Sequence, residues 1–381
     1  GSSQNTDFVA TKLNEWVKNA SNLGPLTDLK GQFGGTGLIT DTGAAGGTLG
    51  RSTVNPRFVK LVQGTYNLAG GDNGIPPSDD EKTATLIGEE NSSGGKSGIQ
   101  ALDDDLLNIS IALVPGFSDL QSVQNNLVTL AEASQNFIAL LSPPYAVGRV
   151  QDAIEWHNGF GQSRTASLNS SYAALYWPWL KVFSVHDAKD RWYDPAIFAA
   201  RQYCVTDSMS DPWFAPAGYV RGRLTKPVDT EVDVNQGDRD SLYSGGNAIN
   251  PIANFPQQGI TIFGQRTTQR EPTALDRVNV RRMLIVIRKM ILAATRRLVF
   301  EPNDPFTWKR VQNLLNPMLD DIRRRRGITE FRVVCDGTTN TPVRIDRNEM
   351  WTKVIIKPTK TAEILIFEVN VTNQSAQLGS I

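Results

Sequence analysis

Histidine and cysteine are the usual carriers of chemistry, and this sequence has two of each: His157, His186, Cys204 and Cys335. A zinc site would have to recruit carboxylates, because no cysteine pair has ligand spacing such as C-x2-C. No metal and no cofactor is expected. A nucleophilic triad would join His186 to Cys204 or to a serine. Cys204 falls in an apolar helical stretch and reads as an inert buried thiol. His186 and Asp187 are neighbours in sequence, which does not make a dyad, and no catalytic residue is assigned. Asp103, Asp104 and Asp105 have the charge to hold a divalent cation, but read better as a solvated helix start. The loop Asn91–Ser97 invites a phosphate reading through Gly94, Gly95, Lys96 and Ser97. The phosphate-cradling loop needs a glycine five residues before Gly95, where this chain has Glu90, and a buried strand before it and a helix after. A surface loop is the better account. The alternative, a soluble α/β enzyme holding a phosphate ligand at Gly94–Ser97, predicts nucleotide binding that Lys96→Ala abolishes. Arg323–Arg326 could meet phosphate or a partner's carboxylates, and equally forms a solvated helix end.

The elements that would position these groups are clearest between Asp276 and Val371, which read helix, helix, strand, strand, strand. Met283–Ala294 is apolar except for Arg288 and Lys289. The helix Ala274–Phe300 around it should therefore be buried on most faces, with Asp276 capping its first turn. The apolar block is shorter than the ~20 residues a bilayer span requires. Asp304-Pro305 starts the next helix, with Asp as cap and Pro at the first helical position. Phe306, Val311, Leu315, Met318 and Ile322 recur at helical spacing. Pro317 should kink or split that helix. Arg323–Arg326 fill its last turn and Gly327 stops it. Strands are expected at Thr329–Cys335, Thr352–Lys357 and Glu363–Val371, the last apolar on both faces and so interior to a sheet at that end.

Upstream, residues 5–22 read as an amphipathic helix. Gly31–Gly50 carries eight glycines in twenty residues and reads as a mobile loop. Phe58–Val62 is a short strand. Ser78–Ile87 is a helix, Leu106–Val114 a strand, Ser118–Ala133 a helix and Phe137–Leu141 a buried strand. That alternation is a βαβ unit and implies a parallel strand pair. Gln151–Trp156 is a helix. Ala173–Val185 reads as one strand with Pro178 at an edge or bulge, and Pro195–Asp207 as a helix. From Asp211 to Glu271, proline, glycine and aromatics alternate without periodicity, as in a long connection pinned by anchors. The 39 basic and 39 acidic residues balance, which argues against bulk phosphate binding. Free thiols fit a reducing compartment. The opening Gly-Ser-Ser-Gln reads as a cloning remnant or a trimmed chain, with no secretory signal.

Several turns in order resemble one family, the sheath proteins of contractile phage tails and related injection machines. Leu68–Gly74 resembles the family's glycine turn opening its middle domain. Asn108–Asp119 resembles the family's next strand, Pro-Gly and helix start. Ala131–Pro143 is similar to its acidic helix and strand, although Asn136 and Ser142 stand where acids are more usual. Asp211–Gly222 is the most specific match. Asn250-Pro251, Gly259–Thr267, Val278–Leu284, Val299–Asp304, Asp336-Gly337 with Asn340, and Ala362-Glu363 continue it in order. The resemblance covers about residues 68–370; residues 1–67 match less well.

The expected fold is α/β and α+β multidomain. Residues 1–58 form an N-terminal helix and glycine-rich loop. Residues 59–272 form a middle α/β domain with βαβ units and its long connection. Residues 273–381 form a C-terminal α+β domain of helices on a small sheet. The resemblance implies a structural, non-enzymatic subunit of a virion tail, assembled in the bacterial cytoplasm. It would polymerise helically with identical subunits around a tail tube protein, and meet baseplate and tail terminator proteins. It implies no direct contact with nucleic acid or membrane. The resemblance places the C-terminal domain as the inner wall and the middle domain outward. Interaction residues are expected at Asp320, Asp321, Arg323, Arg324, Arg325 and Arg326 on one helix. A strand-exchange segment is expected at Glu363, Leu365, Phe367 and Val369.

Overall fold

The computed structural model describes residues 50–51, 59–60, 76–90, 94–104, 107–145, 147–160, 164–244 and 246–363. The chain divides into two units, Gly1–Pro76 and Pro77–Ile381. In the first, β1 (Gly50–Arg51) pairs antiparallel with β2 (Val59–Lys60), which falls inside the expected strand Phe58–Val62. The expected helix 5–22, most of Gly31–Gly50 and the turn Leu68–Gly74 lie outside the described residues.

The second unit opens with α1 (Asp79–Ile87). Ser78 and Glu81 form a reciprocal capping box at its start, and three acids occupy its first turn. After a short 3-10 turn at Gly98–Leu102 come β3 (Ile111–Leu113), α2 (Gln121–Ser134) and β4 (Ile138–Leu141). The expected βαβ unit is present, and β3 and β4 are parallel. Next are α3 (Val150–Asn158) and β5 (Ala173–Trp177). Beyond them lie β6 (Leu180–Ser184), β7 (Lys189–Tyr193) and α4 (Pro195–Met209). α5 (Gly218–Arg221), β8 (Asp229–Thr230) and α6 (Gln236–Tyr243) lead to the hairpin β9 (Ile249–Phe255) and β10 (Gly259–Ile262).

The central sheet has order β10-β9-β5-β4-β3, parallel except for the antiparallel edge strand β10. β4 and β5 are buried along their whole length, as strands covered on both faces must be. Successive side chains alternate between two cores. Ala139, Leu141, Leu175 and Trp177 pack with α2, α3 and α6, whereas Ile138, Leu140, Ala174 and Tyr176 pack with α4. Two expectations fail here. Ala173–Val185 is two strands: the chain leaves the central sheet at the cis Trp177-Pro178 bond and enters a second sheet, β7-β6-β8. The aromatic run is continuous in character, so side-chain type alone hides the break. The stretch 211–271 is more than a connection, since it supplies β9 and β10 of the central sheet. Pro251 within β9 had obscured that strand.

The C-terminal part comprises α7 (Val278–Thr295), α8 (Pro305–Arg324), β11 (Ile328–Val334), α9 (Pro342–Asp346) and β12 (Lys353–Pro358). β11 and β12 pair antiparallel with one register shift between Ile328 and Glu330. α7 is covered on two sides. Val278 and Ile285 join the core of the central sheet, while Val280, Met283 and Ile287 pack with Leu319 and Ile322 of α8 and Ile328 of β11. Only its first two-thirds is buried as expected; Met290 and Leu292 near its end are exposed. Asp276 does not cap it. It sits in a 3-10 turn and pairs with Arg277, which occupies the cap position. α8 starts as expected, with the Asp304 carboxylate accepting from the Thr307 N–H at 2.8 Å. It runs unbroken through Pro317, and Phe306 is exposed while Thr307 takes the buried place. No helix among the described residues is long and apolar enough to cross a membrane.

Candidate assembly surface

α7 lies across the N-terminal ends of the parallel strands, and its cations fasten it there. Arg281 donates to Ser171, just before β5, and its guanidinium lies 4.0 Å over the Tyr172 ring. Arg288 donates to the Ser134 carbonyl and the Asn136 side chain at 2.9 Å, just before β4. Lys289 donates to the Ile109 carbonyl at 2.5 Å, just before β3. A helix rises ~1.5 Å per residue, so residues 281 to 289 span about 12 Å, close to two strand spacings of ~4.8 Å. The spacing of cations on one helix therefore matches the spacing of strands in one sheet. Arg282, buried on the same helix, pairs with Asp207 of α4 at 2.6 Å and stacks at 4.6 Å on Tyr203. These contacts lock the C-terminal part to the sheet; Arg288 and Lys289, expected only to interrupt an apolar block, are among the residues that do it.

The arginine cluster at the end of α8 is largely engaged within the chain. Arg323 and Arg324 both pair with Asp320, at 2.5 and 2.8 Å. Arg325 pairs with Asp321 at 3.5 Å and with Asp211, and lies 5.0 Å over the Trp213 ring. Trp213 in turn donates its indole N–H to the Arg325 carbonyl at 3.0 Å. The helix ends in a Schellman turn: Gly327 N–H donates to Ile322 and Arg326 N–H to Arg323. Arg326, not Gly327, takes the left-handed position, at φ 67°. Glycine is needed at 327 for space, since a Cβ there would meet Ile322 Cγ2 at 2.7 Å and the Trp213 ring at 3.1 Å. All four arginines are exposed, so their charge faces outward, and ion pairs hold Arg323, Arg324 and Arg325.

Glu363 closes the described chain at a second fixed point. Its carboxylate takes two hydrogen bonds from Arg277, at 2.7 and 2.9 Å, one from Tyr243 at 2.9 Å and one from Gln265 at 3.0 Å. Burial alone would raise its pKa; Arg277, Gln265 and Tyr243 outweigh this and hold it below the ordinary carboxylate value. Leu365, Phe367 and Val369 lie outside the described residues. Glu363 borders a groove of about 1020 Å³ whose lining includes an aromatic cluster. There Tyr219, Phe255 and Phe263 pack with ring centroids 5.0 to 5.6 Å apart, and Arg239 lies 4.8 Å over Phe255. Nearby, β11 and β12 form a two-stranded ladder, so each strand has an unpaired edge among the described residues.

The groups singled out for chemistry stand apart from these features. Lys96 pairs with Asp103 at 2.9 Å, and the loop folds back so that Glu90 and Lys96 bridge. The loop leads into a five-residue 3-10 turn rather than a helix. Gly94–Ser97 therefore presents no phosphate cradle; residues 91–93 lie outside the described residues. Asp103 closes that turn instead of starting a helix. His186 is exposed, and Cys204, expected to be buried, is exposed on α4; Cys335 is buried. His157 is wholly buried, neither ring nitrogen is bonded among the described residues, and burial, then Arg270 and Arg164, lower its pKa to about 3. The buried cluster of Ser118, Ser142 and Asp194 has hydroxyls 2.9 Å apart. There Asp194 accepts from the N–H groups of Gly116 and Ala196, fixing the start of α4.

Residues 270–372 match the phage tail sheath C-terminal domain family. The chain is similar to the tail sheath protein of Vibrio phage KVP40, with 29% identity over 331 residues that cover 84% of this chain and 49% of that protein. It is also similar to the tail sheath protein of Enterobacteria phage T4, with 29% identity over 269 residues, 68% of this chain and 40% of that protein. The chain thus spans half or less of the length of these relatives. Its fold resembles the sheath complex of the extracellular contractile injection system PVC in its contracted state. That match has a TM-score of 0.61 and 22% identity, covering 77% of this chain and 80% of that one. The contracted helical sheath of the anti-feeding prophage gives a TM-score of 0.56 at 22% identity, covering 74% and 75%. At this identity the likeness shows the fold, a mixed arrangement of helices and sheets.

Proposed function

We propose that this relative of the phage tail sheath proteins is itself a structural subunit of a contractile tail sheath. Identical copies polymerise helically around a tail tube, rearrange on a signal from the baseplate, and drive the tube through the host envelope. The observation that carries the reading is the match of residues 270–372 to the sheath C-terminal domain. It falls on the part of the fold that carries the ion-paired Arg323–Arg325 and a ladder whose edges are unpaired among the described residues. Open edges are where a neighbour's strand can pair its backbone groups. Glu363, pinned by Arg277, is the described end of the stretch proposed for strand exchange, whose Leu365, Phe367 and Val369 lie outside the described residues. Asp320, Asp321 and Arg323–Arg326 form the surface offered to tube or neighbour. In this reading residues 273–381 form the inner wall and 59–272 face outward, on a virion tail assembled in the host cytoplasm and closed by a terminator protein. Contraction draws on bistable subunit contacts rather than on nucleotide hydrolysis.

Co-expression with the tube protein of the same tail tests this. Purified particles should show a striated sleeve around a tube, and mild denaturant should shorten and widen the sleeve until the tube protrudes. Bare tubes beside soluble monomer would overturn the proposal.

A further inference from the structure

The balanced net charge conceals two oppositely charged ends. Between α7 and α8 the chain turns a corner that exposes Val299, Phe300 and Phe306, with Phe300 fully exposed at φ 70°. Arg296, Arg297, Lys309 and Arg310 are exposed on the same corner. Two acids lie in that segment. Glu301 sits 3.7 Å from Arg310, and Asp304 is occupied in capping α8. Far along the sequence, residues 228–240 carry Asp229, Glu231, Asp233, Asp238 and Asp240 against the single cation Arg239. Asp229, Asp233 and Asp240 are exposed, beside Val228, which is 60% exposed.

The fold keeps these two surfaces apart. β8 and α6, which bracket the acidic segment, pack against β9. The basic corner lies beyond Lys289, which is fastened just before β3, and continues past it along α7. β9 and β3 are separated by β5 and β4. Three strand steps and the overhanging end of the helix put roughly 20 Å between the patches, well beyond ion-pair reach. They cannot satisfy each other within one molecule. On the sheath-subunit reading, we infer that the basic aromatic corner of one copy docks on the acidic segment 228–240 of a second copy. Phe300 is the apolar centre of the contact and the arginines and lysine its rim. Because the two patches differ and lie at opposite sides of the sheet, the contact is heterologous. Repeated, it builds a ring or an open helical polymer rather than an isologous dimer, and on the sheath-subunit reading the polymer.

Reciprocal charge reversal tests this. Asp229→Lys/Asp233→Lys and Arg297→Glu/Lys309→Glu each place like charges across the contact. Each variant alone should need roughly tenfold more protein to polymerise than the unaltered chain. A one-to-one mixture of the two should polymerise near the unaltered concentration, because every junction in an alternating polymer is complementary again. The chain carrying all four substitutions should do the same. If either variant alone polymerises as the unaltered chain does, or if mixing restores nothing while circular dichroism shows both folded, the inference fails and the sheath proposal stands. If the unaltered chain neither polymerises nor associates in sedimentation velocity at low salt, both fail.

Discussion

At Glu363, four hydrogen bonds converge on a carboxylate whose main partner, Arg277, is 86 residues away in sequence. Replacing Arg277 by alanine leaves that half-buried acid short of its cation, and should lower stability by about 2 kcal/mol in urea unfolding. The folded pKa of Glu363 is depressed, so its contribution is complete above the unfolded value near 4.5 and fades as pH falls through the folded one. His157 acts in a higher window. Folded, it takes its proton only near pH 3, whereas unfolded it does so near 6.5. Between those values the unfolded chain holds more protons and stability rises with pH. Its share should fall by about 2 kcal/mol from pH 7 to pH 5, and His157→Phe should remove that part of the slope. Neither residue's role was legible in the sequence. Glu363 was read as the start of a strand-exchange segment, and its ion pair was not legible, because its partners come from three distant segments. His157 had no ligand-like spacing to mark it.

Elements with local start and stop signals were legible. Asp304-Pro305 announced α8, and the alternation of strand and helix around Pro115-Gly116 announced the parallel pair β3–β4. β9 was not, because its burial between β5 and β10 is decided by tertiary pairing while its own residues, Asn250 and Pro251, argue against a strand. The break between β5 and β6 was hidden because both neighbours are equally aromatic. The end of α8 shows how a local rule bends to packing. Gly327 was expected to stop the helix through its own conformational freedom, yet Arg326 takes the left-handed position and Gly327 makes room for Trp213. Arg326→Gly should therefore stabilise the fold by about 0.5–1 kcal/mol. Gly327→Ala should destabilise it by about 1–3 kcal/mol through the clash. Both are measurable as shifts in the urea midpoint. Leu319→Ala, which empties a fully buried site between α7 and α8, should cost about 2–5 kcal/mol.

On the scale of the whole molecule, the fold couples its parts through one helix. α7 shares its faces between the central sheet and the α8–β11–β12 layer, with Arg281, Arg282, Arg288 and Lys289 as fasteners. The unit from Pro77 onward, built this way, should move as a body, which is what the proposed contraction by subunit rotation requires. The separated acidic and basic ends give such bodies a direction in which to stack. Of the residues whose chemistry the sequence first invites, Lys96 pairs with Asp103, His157 is buried, and His186 and Cys204 are exposed. The central claim is that identical copies assemble into a sleeve, and negative-stain electron microscopy of the purified full-length protein tests it most directly. The account predicts hollow, cross-striated tubes of one fixed diameter. A uniform field of monomers at high concentration and low salt would contradict it.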